Sequence, residues 1–266
     1  MYYQTMTEVP GEGLDRLLAV MRRLRAPGGC AWDAEQTFET IAPYTIEEAY
    51  EVADAIERGD HAGLCDELGD LQLQVVYHAA IAEDAGLFTI EDVLRGVSDK
   101  LVRRHPHVFG DVETPGWEAI KAAERAGSDD RSALAGVARA LPALKRAEKI
   151  GARAARVGFD WPDVSGSRAK VDEELTELDA AVTYEERAEE LGDVLFAVVN
   201  LARHLKIDPE AALAAATRKF EARFRTMEAA AGTLDGLGAH RLDRLWREAK
   251  RSAPRSAPTA APAGER

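Results

Sequence analysis

Eight acidic residues form two sets of four with nearly the same internal spacing. In the first, Glu48 and Glu51 lie in "EEAYE" (Glu47 to Glu51), and Glu67 and Asp70 bound an "ELGD". In the second, Glu174 and Glu177 lie in "EELTE" (Glu173 to Glu177), and Glu190 and Asp193 bound another "ELGD". Residues three apart share a helix face, so each pair points at one spot. Clustered carboxylates repel and raise one another's pKa unless a cation neutralises them. An all-oxygen set without His or Cys suits a hard ion, Mg²⁺, with Mn²⁺ a possible substitute. A di-iron bundle would want Glu-x-x-His on two helices, and here Asp70 and Asp193 stand where the His would be. A lone E-x-x-E is ordinarily a solvated face. These two differ, because each leads into an apolar run, Leu71 to Ala80 and Val194 to Ala202. Charges at the edge of a buried helix need partners. Gly69 and Gly192 repeat inside both "ELGD" segments, each costing about 1 kcal/mol against Ala in a helix. That repeated cost implies close approach of backbone or ligand.

Cations and indoles follow each set. Lys100 with Arg104, and Lys219 with Arg223, are i,i+4 pairs, as are Trp117 with Lys121 and Trp246 with Lys250. Singly these are surface cations and core tryptophans. After a carboxylate set they read as receivers for a polyphosphate, with the indole packing on a sugar or base. Asn200, seven residues after Asp193 on one face, is a candidate hydrogen-bonding partner for substrate; Tyr77 is its first-set counterpart. His105 and His107 in "RRHPHVFG" lack a Cys or His cluster at zinc spacing. Pro106 implies an extended turn there, so these histidines read as structural.

The elements that must carry these residues are helical, and the fold class is all-α. Leu141, Leu144, Ala147, Ile150, Ala154 and Val157 recur at helical spacing, with Pro142 suited to the first turn and Gly158 to the stop. "RGDHAG" (Arg58 to Gly63) breaks the first acidic hairpin. Thr183 with Glu186 reads as a capping box in the second, and Thr45 with Glu48 is a further capping candidate. The whole pattern repeats, with offsets of 126 (Glu51 to Glu177), 123 (Glu67 to Glu190), 119 (Lys100 to Lys219) and 129 (Trp117 to Trp246). Such drift is what loop insertions between retained helices produce. The expected organisation is two tandem helical-bundle modules, each with an acidic helix hairpin: 1–125, a linker at 126–140, and 141–251. The Pro/Ala/Ser-rich end, 252–266, reads as a disordered tail.

Within 266 residues, 34 Lys+Arg face 47 Asp+Glu, a net charge of −13. That excludes a generic nucleic-acid or anionic-membrane binder. With no export signal or spanning segment, and Cys30 and Cys65 expected free, the chain reads as cytoplasmic.

With these residues assembled, the sequence resembles the MazG family of nucleoside triphosphate pyrophosphohydrolases. The family's E-E-x-x-E followed by E-x-x-D matches both sets, and the resemblance runs from about Leu14 to Lys250. It takes in "EELGDLQLQVVYHA", "RRHPHVFG", "RAARVGFDW" and "EELGDVLFAVVNLARHL". The resemblance implies Mg²⁺-dependent hydrolysis of an NTP or dNTP to monophosphate and pyrophosphate, as nucleotide-pool housekeeping, in a homodimer. It implies that Glu174, Glu177, Glu190 and Asp193 hold the metal, and that Lys219, Arg223, Trp246 and Lys250 contact the nucleotide. The second module is the one the family associates with hydrolysis. The first retains its own candidate site, Glu48, Glu51, Glu67 and Asp70. It departs from the family's C-P-W-D-x-x-Q-T-H at Ala31 and Phe38. No general base is assigned, since Glu173 and Glu189 point about 100° away from their ligand neighbours. Two other readings stay open: a non-catalytic helical regulatory module, and a hydrolase for a modified nucleotide.

Overall fold

The computed structural model describes residues 9–110, 130 and 132–252. Trp117, Lys121, residues 126–129 and 131 of the expected linker and the tail beyond Ser252 lie outside the described residues. Every regular element among the described residues is a helix, and none is long and apolar enough to cross a membrane. The chain divides into two compact units, Met1–Pro115 and Gly116–Arg266.

In the first unit, α1 (Gly13–Arg25) and α2 (Ala31–Glu35) precede the acidic hairpin of α3 (Phe38–Arg58) and α4 (His61–Asp84). Thr37 starts α3 through a capping box with Thr40. Gly59 ends it in the left-handed region at φ 66°, a conformation that carries no steric cost for glycine. Asp60 then caps α4 by accepting from Gly63 N at 2.9 Å. The break expected at "RGDHAG" is therefore a two-residue hairpin. The capping role considered for Thr45 is not found, because α3 has already begun at Thr37. Two turns inside, Thr45 Oγ1 instead bonds Ile41 O and His78 Nε2 (2.9 Å). The unit continues through α5 (Ile90–Arg104) and α6 (Pro106–Phe109). Pro106 opens that short helix rather than an extended turn, since proline lacks only an N–H that the first turn leaves unbonded. His105 Nδ1 lies 2.7 Å from Leu101 O. Met21, Ile41, Val76, Tyr77 and Ile81 form the core, drawn from α1, α3 and α4.

The second unit has α7 (Ala143–Arg156), the acidic hairpin of α8 (Val164–Ala180) and α9 (Tyr184–His204), then α10 (Pro209–Ala231) and α11 (Ala239–Ser252). Thr183 and Glu186 form the expected capping box at the start of α9, and Gly158, at φ 85°, follows α7. Lys145 of α7 bonds Asp208, the cap of α10, at 2.6 Å, which fastens α10 to α7. Met227, Leu245 and Ala249 make a second core between α10 and α11.

Two expectations need correction. Both "ELGD" segments lie within helices, α4 and α9, and a Cβ placed on Gly69 or Gly192 would meet nothing within 4 Å. No backbone crowds them. The apolar run after Asp193 is buried on one face only. Val194, Ala197 and Val199 are inside, whereas Leu195, Phe196 and Val198 are 51%, 45% and 45% exposed.

Thr183→Ala removes the acceptor for the Glu186 amide (3.2 Å) and is expected to cost about 1 kcal/mol. Urea unfolding followed by circular dichroism measures this, and an unchanged midpoint would deny the cap any energetic role.

Candidate metal centre

The two hairpins bring carboxylates together across helices as well as along them. In the first unit, oxygens of Glu48 (α3), Glu67 and Asp70 (α4) all lie within 4.8 Å of one another. In the second, Glu174 and Glu177 (α8) with Glu190 (α9) meet the same limit. Glu51 and Asp193 stand outside these groups of three. Glu51 still acts on Glu48 and Glu67, helping to raise both carboxyls. Asp193 is exposed, one helical step of three beyond Glu190.

The two groups manage their charge differently. Burial, then the charges of Asp70 and Glu51, push Glu48 above the usual carboxylate range. Glu67 is raised by burial and then by Glu51. In the second unit Lys170 supplies a cation from within, its Nζ 2.8 Å from Glu174 and 2.7 Å from Glu173. That hydrogen bond holds the buried Glu174 low, and Glu174 in turn raises Glu177 through a shared hydrogen bond. Lys170 was not among the residues singled out in the sequence, though its i,i+4 spacing to Glu174 was there to be read. Tyr44 stands at its first-unit position by the 126-residue offset.

Asn200 is buried, and its surroundings define which of its groups is committed. Arg203 Nε donates to Asn200 Oδ1 at 2.8 Å. The same guanidinium donates through Nη2 to Asp160 Oδ1, which also lies 2.9 Å from His204 Nε2. The Asn200 amide is thus oriented with its oxygen engaged. Neither Asp160 nor Arg203 is singled out by spacing or motif in the sequence. At the equivalent first-unit position Tyr77 is a core residue. Its hydroxyl donates to Asp33 Oδ1 at 2.9 Å, the Arg25 guanidinium lies 5.7 Å from its ring centroid, and burial pushes its pKa to about 12.

The cationic and aromatic candidates gather on α10 and α11. Trp246 packs against Phe220 with ring centroids 5.2 Å apart, and Lys250 Nζ sits 5.5 Å from the indole centroid. Lys219 is exposed, whereas Arg223 has a buried Nε without a hydrogen-bond partner among the described residues. Among the described residues no hydrogen bond or ion pair joins these four to the second-unit carboxylates.

The MazG nucleotide pyrophosphohydrolase domain model matches residues 36–109 and 166–227. The chain belongs to the MazG family. Those segments span α3 to α6 and most of α8 to α10, so both acidic hairpins are family elements, whereas α11 with Trp246 and Lys250 lies beyond the match. The chain is 47% identical over 245 residues to a nucleoside triphosphate pyrophosphohydrolase/pyrophosphatase MazG of Thermotoga maritima, covering 89% of this chain and 95% of that one. It is 49% identical over 255 residues to a nucleoside triphosphate pyrophosphohydrolase of Escherichia coli K12, covering 90% and 97%. A Mycobacterium tuberculosis protein of the same description is 36% identical over 214 residues, covering 75% and 65%.

The Asp160 carboxyl is held to about 2 from an ordinary 3.8, chiefly by the Arg203 hydrogen bond, against the opposing effect of burial, with His204 assisting. A folded-state value below the unfolded one means this stabilisation is complete above pH 3.8 and is lost as pH falls toward 2. Thermal melts of wild type and Asp160→Asn across that window are expected to converge on acidification. A constant gap would remove the ion pair as its source.

Proposed function

We propose that this chain hydrolyses nucleoside triphosphates to the monophosphate and pyrophosphate, with Mg²⁺ on the second-unit carboxylates. The observation that carries the reading is the convergence of Glu174, Glu177 and Glu190 within 4.8 Å, in a family whose relatives bear that activity in their names. The donor set fits the ion: it is all oxygen, and Glu177 is raised by its hydrogen bond with Glu174, then by burial and by the Glu174 charge, a repulsion that a divalent cation relieves. Bound there, Mg²⁺ supplies Lewis-acid polarisation of phosphate oxygens and a template for the attacking water.

In this reading water attacks the α-phosphorus and the bond to the β-phosphate bridge breaks, so pyrophosphate leaves. Lys219 and Arg223 hold phosphate oxygens; the buried Nε of Arg223, without a partner among the described residues, is a donor ready for one. Trp246, with Lys250 above its ring, offers a face for the base or sugar. Asn200 turns toward substrate with Nδ2, because Arg203 engages its oxygen, and therefore reads an acceptor. Lys170 keeps Glu173 in an ion pair, which disfavours Glu173 as general base. The exposed stripe of Leu191, Leu195 and Val198 recurs at helical spacing on α9 and suits burial against a second copy of the chain, supporting a homodimer.

Product analysis with purified chain, Mg²⁺ and a panel of nucleoside triphosphates is expected to give monophosphate plus pyrophosphate; diphosphate plus phosphate would refute the reaction. Lys219→Ala and Arg223→Ala each remove a charge-assisted contact worth ~1.5–3 kcal/mol, so kcat/KM is expected to fall about 10- to 100-fold in each. Near-normal kinetics would return both to a surface role. Glu190→Gln with Asp193→Asn is expected to abolish pyrophosphate release, and Glu67→Gln with Asp70→Asn to spare most of it. The opposite result would move the reaction to the first unit.

A further inference from the structure

The first-unit carboxylates adjoin a buried amide that lacks a full set of partners. Gln74, on α4, is 7% exposed. It lies four residues after Asp70 and seven after Glu67, on the face that carries both. Its Nε2 donates to Glu48 Oε1 at 3.5 Å, which orients the amide, since reversing it would set two oxygens against each other. Gln74 Oε1 is then left buried with no hydrogen-bond partner among the described residues. Native structures rarely leave a buried acceptor unsatisfied, so such an atom calls for a donor. At the equivalent second-unit position the 123-residue offset from Glu67 to Glu190 puts Ala197, which has no side-chain amide. The second unit has Lys170 instead, a cation of its own against Glu174.

We propose that Gln74 belongs to a first-unit cation site, its Oε1 accepting a hydrogen bond from the hydration shell of a divalent ion held by Glu48, Glu67 and Asp70. This rests on reading those carboxylates as metal ligands and goes beyond it by giving the first-unit site a feature of its own. Divalent ions such as Mg²⁺ and Mn²⁺ keep several waters when carboxylates bind them, and those waters are donors. A neutral acceptor beside the cluster orders the hydrated ion without adding a fifth negative charge to Glu48, Glu51, Glu67 and Asp70. The two units thereby differ in how they meet a cation. The second offers carboxylates already paired with a lysine, and the first offers carboxylates supported by an acceptor.

The test is Mn²⁺ binding to the whole chain, with free Mn²⁺ counted by electron paramagnetic resonance, in a parent carrying Glu190→Gln and Asp193→Asn to silence the second site. Adding Gln74→Met, which keeps the side-chain volume and deletes both polar groups, is expected to weaken binding about 10- to 100-fold, the usual effect of losing an outer-shell partner. Superimposable isotherms, with circular dichroism unchanged, overturn the proposal. A second measurement needs no Gln74 variant. In the parent, substoichiometric Mn²⁺ is expected to broaden the Gln74 side-chain amide in the NMR spectrum, and an amide that stays sharp while Mn²⁺ binds overturns it equally. If the parent binds no Mn²⁺, the underlying first-unit ligand assignment falls with it. Pyrophosphate release by wild type is read separately.

Discussion

Three carboxylate oxygens within 4.8 Å of one another is an arrangement that helix packing alone does not favour, since like charges at that range oppose the closing of the hairpin that joins them. Everything around each cluster answers that repulsion. The hairpins close because their remaining faces are apolar, with Met21, Ile41 and Val76 under the first and Val171, Val194 and Val199 under the second. Caps at both hairpin turns, Asp60 and Thr183, satisfy amides that the helix starts leave free. The remaining repulsion is taken up chemically. Glu48 and Glu67 become harder to ionise, whereas Glu174 stays charged against Lys170.

That difference separates two units that the spacing of acidic residues alone would equate. Unit two has a lysine-paired cluster and an asparagine oriented by Arg203 and Asp160. Unit one has a lysine-free cluster, and its counterpart of Asn200 is Tyr77, bonded to Asp33 in the core. A buried amide whose oxygen is engaged presents a donor, whereas a tyrosine whose hydroxyl is spent on its own core presents neither. The same spacing thus sits among unlike neighbours, and the proposal that turnover belongs to the second unit rests on these neighbours rather than on the carboxylates themselves.

The surfaces left over carry information too. An isolated soluble helix ordinarily hides its apolar face, yet α9 leaves Leu191, Leu195 and Val198 about half exposed. On α10, Leu213, Phe220 and Phe224 are likewise exposed, with Phe220 stacked on Phe224 and tilted against Trp246. Lys250 lies over the Trp246 ring, and Arg223 Nε is buried without a hydrogen-bond partner among the described residues.

By itself the sequence determined what depends on near neighbours along the chain: the all-α class from apolar periodicity, the helix starts at Thr183 and stops at Gly59 and Gly158, and the pairing of carboxylates at i,i+3. These were legible because caps and helix faces are set by residues within a turn or two of one another. Local reading also misplaced Thr45 for the same reason, taking it as a cap when a longer helix ran through it. Only the tertiary structure decided which carboxylates meet across a hairpin, that Asp160 reaches Arg203 and His204, and that Gln74 is buried against Glu48. Those contacts join residues up to 44 positions apart, and their direction depends on how two helices roll against each other. No local spacing encodes that roll, because it is settled by the packing of whole faces.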